Sequence, residues 1–132
     1  MTLRCGIDLV EIRRLEHLDP QIRQRFLHRV FTPQELDDAQ EDLMVLAGRF
    51  AAKEAVAKAL GCGIGPISWQ EIEVQRGPEG QPLLRLHGRA AERAAALNLC
   101  EWSISITHTR DLAMAMAVAL GPSGSPSDLP GA

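Results

Sequence analysis

The sequence predicts an α+β fold, on three observations. Period-two alternation of apolar residues marks strands near both ends of the chain. An alanine-rich run in the middle marks one long helix. Strands and helices follow one another without a regular βαβ rhythm, which separates this class from α/β.

The elements follow in order. Leu3, Cys5, Ile7 and Leu9 alternate with Arg4, Gly6 and Asp8, a short strand that points Asp8 away from Ile7's face. Asp19 is a good N-cap and Pro20 fits the first helical position, so a helix starts there with Ile22, Phe26 and Val30 on one face. Thr32-Pro33-Gln34-Glu35 is a capping box that opens the next helix. Leu43 to Leu60 is rich in helix formers and predicts the longest helix, ended by Gly61. A glycine-rich loop, Gly61 to Pro66, follows. Trp69 to Gln75 and Leu83 to Leu86 read as partner strands around the turn Gly77-Pro78-Glu79-Gly80. Arg89 to Leu97 reads as a helix. Trp102, Ile104 and Ile106 alternate with Ser103, Ser105 and Thr107, another strand. Met114, Met116, Val118 and Leu120 alternate with alanines in a final strand that is apolar on both faces. Such a strand either lies at the centre of its own monomer or buries one face against another subunit. Residues 1–120 thus form one domain, and 121–132, rich in Gly, Pro and Ser, form a loose tail.

Composition bounds the function. A chain of 132 residues suits a single domain. Its 45% hydrophobic and 23% charged residues place it with soluble globular proteins. A net charge of -3 argues against a general polyanion binder. No run is long and apolar enough to span a bilayer, and the start lacks the pattern of a signal peptide. Cys5, Cys62 and Cys100 form no CxxC pair, so neither a disulfide framework nor a cysteine zinc site is expected. A reducing, cytoplasmic setting is the simplest expectation, with no membrane partner.

The chemistry-bearing residues concentrate in few places. On the long helix, Glu54 and Lys58 lie four apart on one face, and Gly61 continues that stripe. A carboxylate beside an ammonium, running into a glycine loop, suits a magnesium diphosphate. The same spacing also describes an ordinary surface ion pair. Asp8 sits among apolar neighbours and offers a second carboxylate for a hard cation, or else a cap for a helix starting near Glu11. His108 ends an alternating strand between Thr107 and Thr109 and is either a base or phosphate donor, or a structural histidine. His17, His28 and His87 have no metal-like spacing. Arg13, Arg14, Arg23, Arg25 and Arg29 make the early helical region basic, a surface for an acidic protein or simply a solvated face. That region lacks interleaved aromatics and the chain has 0 tyrosines, so a nucleic-acid stacking surface is not expected.

Together these segments resemble the holo-acyl-carrier-protein synthases of the 4'-phosphopantetheinyl transferase family. The resemblance rests on Gly6-Ile7-Asp8-Leu9-Val10-Glu11, Arg25-Phe26, the run from Leu46 to Gly61 and Ser103-Ile104-Ser105-Ile106-Thr107-His108-Thr109. It covers Gly6 to about Leu120. It implies the family fold, a small antiparallel sheet packed with a long helix and shorter helices. It implies transfer of 4'-phosphopantetheine from coenzyme A to a serine of apo acyl carrier protein, with 3',5'-ADP released. It further implies a homotrimer with active sites between subunits. In this sequence Asp8 and Glu54 fall on the family's metal-binding acids and Lys58 on its phosphate-contacting lysine. Glu54, Lys58 and His108 are then the catalytic set. Arg49, Lys53, Gly61, Gly63, Gly65, His108 and Thr109 lie where coenzyme A binds. Arg13, Arg14, Arg23 and Arg25 match the carrier-docking surface.

Two departures stand out. Many members have Gly-Thr-Gly where this chain has Gly61-Cys62-Gly63. The segment before the long helix, Gln40 to Val45, is short and acidic where many members have a longer basic one. Two competing readings use the same residues: a magnesium-dependent nucleotide hydrolase, and a non-catalytic coenzyme A or nucleotide-binding module.

Overall fold

The computed structural model describes residues 1–123. It contains β1 (Thr2–Glu11), α1 (Ile12–Glu16), α2 (Pro20–Val30), α3 (Pro33–Ala39), α4 (Leu43–Leu60), a 3₁₀ turn (Trp69–Glu71), β2 (Ile72–Arg76), β3 (Pro82–Leu86), α5 (Gly88–Ala96), β4 (Glu101–His108) and β5 (Leu112–Gly121). Two antiparallel sheets result: one of three strands in the order β1-β5-β4, and the β2-β3 hairpin. The predicted α+β class holds, as do the caps Asp19, Thr32 and Gly61.

α4 is the hub. A helix in the core of a small protein must be apolar around most of its circumference. Here 12 of its 18 residues are buried. Its close approach to the large sheet depends on small residues. Ala113, Ala115, Ala117 and Ala119 of β5 pack with Ala47, Ala51, Ala52 and Ala55 of α4, all buried. Gly6 of β1 lies so near Ala55 that a Cβ would collide with the helix carbonyl. Backbone is the obstacle there, so nothing can give way cheaply.

This arrangement inverts the obvious reading of β1. Leu3, Ile7 and Leu9 point away from α4 and are exposed, Ile7 at 55% and Leu9 at 56%. Their partners across the ladder, Met114 opposite Leu9 and Met116 opposite Ile7, are exposed too. The sheet thus has an alanine face against the helix and a larger apolar face open to solvent.

Four further expectations are corrected. Trp69 to Glu71 is a 3₁₀ turn rather than strand, because the Glu71 carboxylate accepts from the Ser68 N–H at 2.7 Å and closes a capping box. Ile22 is 52% exposed, and Leu27 takes the buried place beside Val30. α1 is an element that sequence did not delimit. Glu11 stands at its N-cap without a side-chain bond, so Asp8 is not a helix cap. At the other end β5 runs through Gly121, which pairs with Thr2. The rest of the expected tail, 124–132, lies outside the described residues. Among the described residues no helix is long and apolar enough to cross a membrane.

Candidate active site

β1 and α4 bring Asp8, Glu54 and Lys58 together. Asp8 shares with Gly6 the face of β1 that packs on the helix. Lys58 Nζ donates to Asp8 Oδ1 at 3.2 Å and to Ile7 O at 2.9 Å. The helical spacing suggests a Glu54–Lys58 pair. Lys58 instead reaches across to the strand, and no Glu54–Lys58 contact within 4.0 Å is present among the described residues. The ordinary i,i+4 pair is therefore not what these residues form.

Glu54 is half-buried, and its carboxyl titrates above the usual range. Burial is the main cause, the nearby Asp8 carboxylate adds to it, and Lys58 opposes it. Asp8 and Glu54 fit a hard ion of the Mg²⁺ kind, which takes one or two protein carboxylates and completes its shell with phosphate and water. Among the described residues there is no cluster of three or more His, Cys, Asp or Glu that would hold a metal on its own.

Beside these acids lies a cleft of about 450 Å³. Asp8, Val10, Arg14, Phe26, Phe50 and Glu54 line it, among others. It joins β1 and α4 to the basic segment formed by α1 and α2. Arg13, Arg14 and Arg25 are exposed there. Arg23 differs, because its Nη1 donates to Leu15 O at 3.3 Å and Glu16 O at 3.2 Å, tying the end of α1 to α2.

Gly61 adopts φ 75° and closes α4, with its N–H on Ala57 O and Lys58 O. Gly63 and Gly65 continue the loop past that end. His108 does not join the acids within one chain. It is exposed at the end of β4, opposite Ala113, while Asp8 lies on β1 with β5 between. Two strand spacings, about 10 Å, separate the two strands. Thr109 spends its Oγ1 on the β4–β5 turn, accepting from Asp111 N–H at 3.3 Å and Leu112 N–H at 3.2 Å.

Lys53 and Arg49 lie on another stripe of α4. Lys53 is fully buried and is not brought to the cleft. Its Nζ donates to Glu35 Oε1 at 2.8 Å, Trp69 O at 3.0 Å and Ile72 O at 2.6 Å, which uses all three protons. These bonds hold the expected coenzyme A residue Lys53 in the core, between α3, α4 and β2. Arg49 is also buried, yet its Nη1 has no partner among the described residues. Burial lowers its pKa. Glu35 is the residue that sequence did not single out. Its only signal was a place in a capping box.

Residues 4–117 match the family described as the 4'-phosphopantetheinyl transferase superfamily. The chain belongs to this superfamily. It is 44% identical over 126 residues to a holo-[acyl-carrier-protein] synthase of Herpetosiphon aurantiacus, covering 90% of this chain and 99% of that one. A synthase of the same description from Desulforudis audaxviator is 41% identical, with 95% and 98% covered. Among solved structures, the Helicobacter pylori synthase in complex with coenzyme A is 34% identical with TM-score 0.79, covering 88% of this chain and 99% of that one. This superfamily member also matches the Mycobacterium tuberculosis acyl carrier protein synthase, 37% identical with TM-score 0.71, covering 90% and 97%.

Proposed function

We propose that the chain transfers 4'-phosphopantetheine from coenzyme A to a serine of an apo acyl carrier protein, giving holo carrier and 3',5'-ADP. The observation that carries this reading is the Asp8–Glu54–Lys58 constellation beside a cleft that opens onto a basic helical surface. Asp8 and Glu54 would hold Mg²⁺. Bound there, the ion neutralises diphosphate charge and polarises the phosphoryl group.

The other steps fall to side chains of the chain itself. Phosphoryl transfer depends mainly on positioning and charge stabilisation. Lys58, held beside Asp8 by its bonds to Ile7 O and Asp8 Oδ1, meets the charge that builds on phosphate oxygen as the carrier serine attacks in line. Glu54 and His108 are the groups able to take the serine proton. The exposed Arg13, Arg14 and Arg25, with the exposed Ile22 among them, form a surface for a carrier with acidic residues. The three free cysteines are in keeping with a cytoplasmic setting. The product would serve fatty-acid or polyketide synthesis.

Intact-mass analysis tests the reading. With coenzyme A, Mg²⁺ and apo carrier, the carrier should gain the mass of one phosphopantetheine group. Cleavage of coenzyme A without carrier would point to a hydrolase instead, and no turnover to a binding module.

The assembly belongs to the same proposal. A homotrimer would cover the open sheet face, where Leu3, Ile7, Leu9, Met114 and Met116 form a contiguous apolar patch on paired strands. It would also let His108 of one subunit meet Asp8 and Glu54 of the next. Met116→Glu should therefore yield monomers by light scattering and lose most transfer activity. A Met116→Glu trimer with normal activity would place the interface elsewhere.

A further inference from the structure

α2 carries the exposed Arg25, and the next residue, Phe26, lines the cleft. The start of α2 is tied to α1 through Arg23. Its seat against α4, the helix of Glu54 and Lys58, is of another kind. Among the described residues no hydrogen bond or ion pair runs directly from α2 to α4. Apolar packing takes that place: Leu27 and Val30 share a cluster with Leu46 of α4, and Phe26 leans on Phe50. Such packing is non-directional, so it holds the helix without fixing its angle.

The 3₁₀ turn Trp69–Glu71 supplies the direction. The Phe26 and Phe50 ring centroids are 5.4 Å apart at 60°, and those of Phe50 and Trp69 are 5.0 Å apart at 36°. Both distances lie where aromatic pairs attract. Three rings thus run from α2 over α4 to the turn. The turn is itself fixed. Its capping box joins Ser68 and Glu71, and Trp69 O accepts from Ile72 N–H and, at 3.0 Å, from Lys53 Nζ. Lys53 directly precedes Glu54 on α4. Gln70 then reaches the other helix, where its Nε2 donates to His28 O at 2.8 Å. The last carbonyls of a helix have no partner within it, so this bond caps α2 from outside. Neither Trp69 nor Gln70 lines the cleft. They act on it through Phe50 and α2.

We propose that Trp69 and Gln70 are positioning residues for the carrier: they set the angle of α2, and with it Arg25 and Phe26, relative to Glu54 and Lys58. This rests on the reading of the chain as a carrier-loading enzyme. The donor's contacts at Asp8, Glu54 and Lys58 come from β1 and α4, so a shift of α2 leaves them in place. Loss of the wedge is therefore felt by the carrier and not by coenzyme A.

The test measures carrier loading and coenzyme A binding separately in the wild type, Trp69→Leu, Trp69→Phe and Gln70→Ala. Gln70 is exposed, so its truncation keeps the fold. Trp69→Leu should lower kcat/KM for apo carrier about tenfold, the scale of a small misplacement caused from outside the site. Gln70→Ala should lower it about threefold, as for one neutral hydrogen bond. Calorimetric titration should show coenzyme A binding unchanged in all three. Trp69→Phe keeps a ring against Phe50 and should recover most of the carrier rate. If carrier loading is unchanged in both Trp69→Leu and Gln70→Ala, the proposal is overturned. Coenzyme A binding that falls in step with carrier loading and melting temperature would make the turn mere scaffold and overturn it equally. So would leucine and phenylalanine variants that perform alike. Wild-type protein that loads no carrier would instead refute the proposed function, so the two failures are distinguishable.

Discussion

Glu54→Gln should abolish carrier loading in a protein at least as stable as the wild type. Loss of one of two carboxylates at a hard cation, next to the reacting phosphate, is expected to cost at least about 10²–10³-fold in kcat. Asp8→Asn should behave alike in transfer. Stability separates this from simple damage. The folded Glu54 carboxyl is raised above its unfolded value by burial and by Asp8. The folded state therefore holds that proton more tightly, and stability falls as pH rises from the unfolded carboxylate value through the raised folded one. Removing the charge removes that penalty. Metal-free Glu54→Gln should melt at or above the wild-type temperature at neutral pH, and the two should converge as the pH is lowered toward 4. Added Mg²⁺ should raise the wild-type melting temperature through linkage and leave the variant unmoved. Near-normal turnover by folded Glu54→Gln at low Mg²⁺ would remove Glu54 from the site.

Much of this was legible in the sequence because local rules govern it. Asp19, Thr32 and Gly61 end their helices as their chemistry dictates. The Glu54, Lys58 and Gly61 stripe needed only the helical period. What resisted was set by partners distant in the chain. Leu3, Ile7 and Leu9 are the apolar side of β1, yet the helix takes the other side. Gly6 and the β5 alanines allow α4 the closer approach, and no single-strand pattern encodes that choice. Lys58 finds Asp8, 50 residues away in sequence, rather than its helical neighbour Glu54. Lys53 carries no local mark that distinguishes it from a solvated lysine. Its partner Glu35 looks like any third residue of a capping box.

Lys53→Met should be the most destabilising of the substitutions considered, although the residue lies outside the cleft. Lys53 and Glu35 are both fully buried and 2.8 Å apart. Burial lowers the lysine pKa and the Glu35 carboxylate counters it. Glu35 also binds α3 to β2, since Oε1 accepts from Thr32 N–H and Oε2 from Val74 N–H, each at 2.8 Å. The pair thus joins α3, α4 and β2 at one point. Methionine matches the lysine stem in volume but leaves the carboxylate without its cation. It also leaves Ile72 O without its side-chain donor and Trp69 O with the Ile72 N–H alone. Stranding a buried charge costs about 3–5 kcal/mol, a large share of the roughly 5–15 kcal/mol that holds a domain together. A fall of about 10–20 °C in melting temperature follows for a chain of this size. Glu35→Gln alone should also destabilise, because it strands the ammonium. The double variant, with both charges gone, should recover part of the loss, a coupling that a double-mutant cycle measures. Additive losses in the double variant would show that the two charges act independently. A Lys53→Met protein as stable as the wild type, but with weakened coenzyme A binding, would return Lys53 to the donor site.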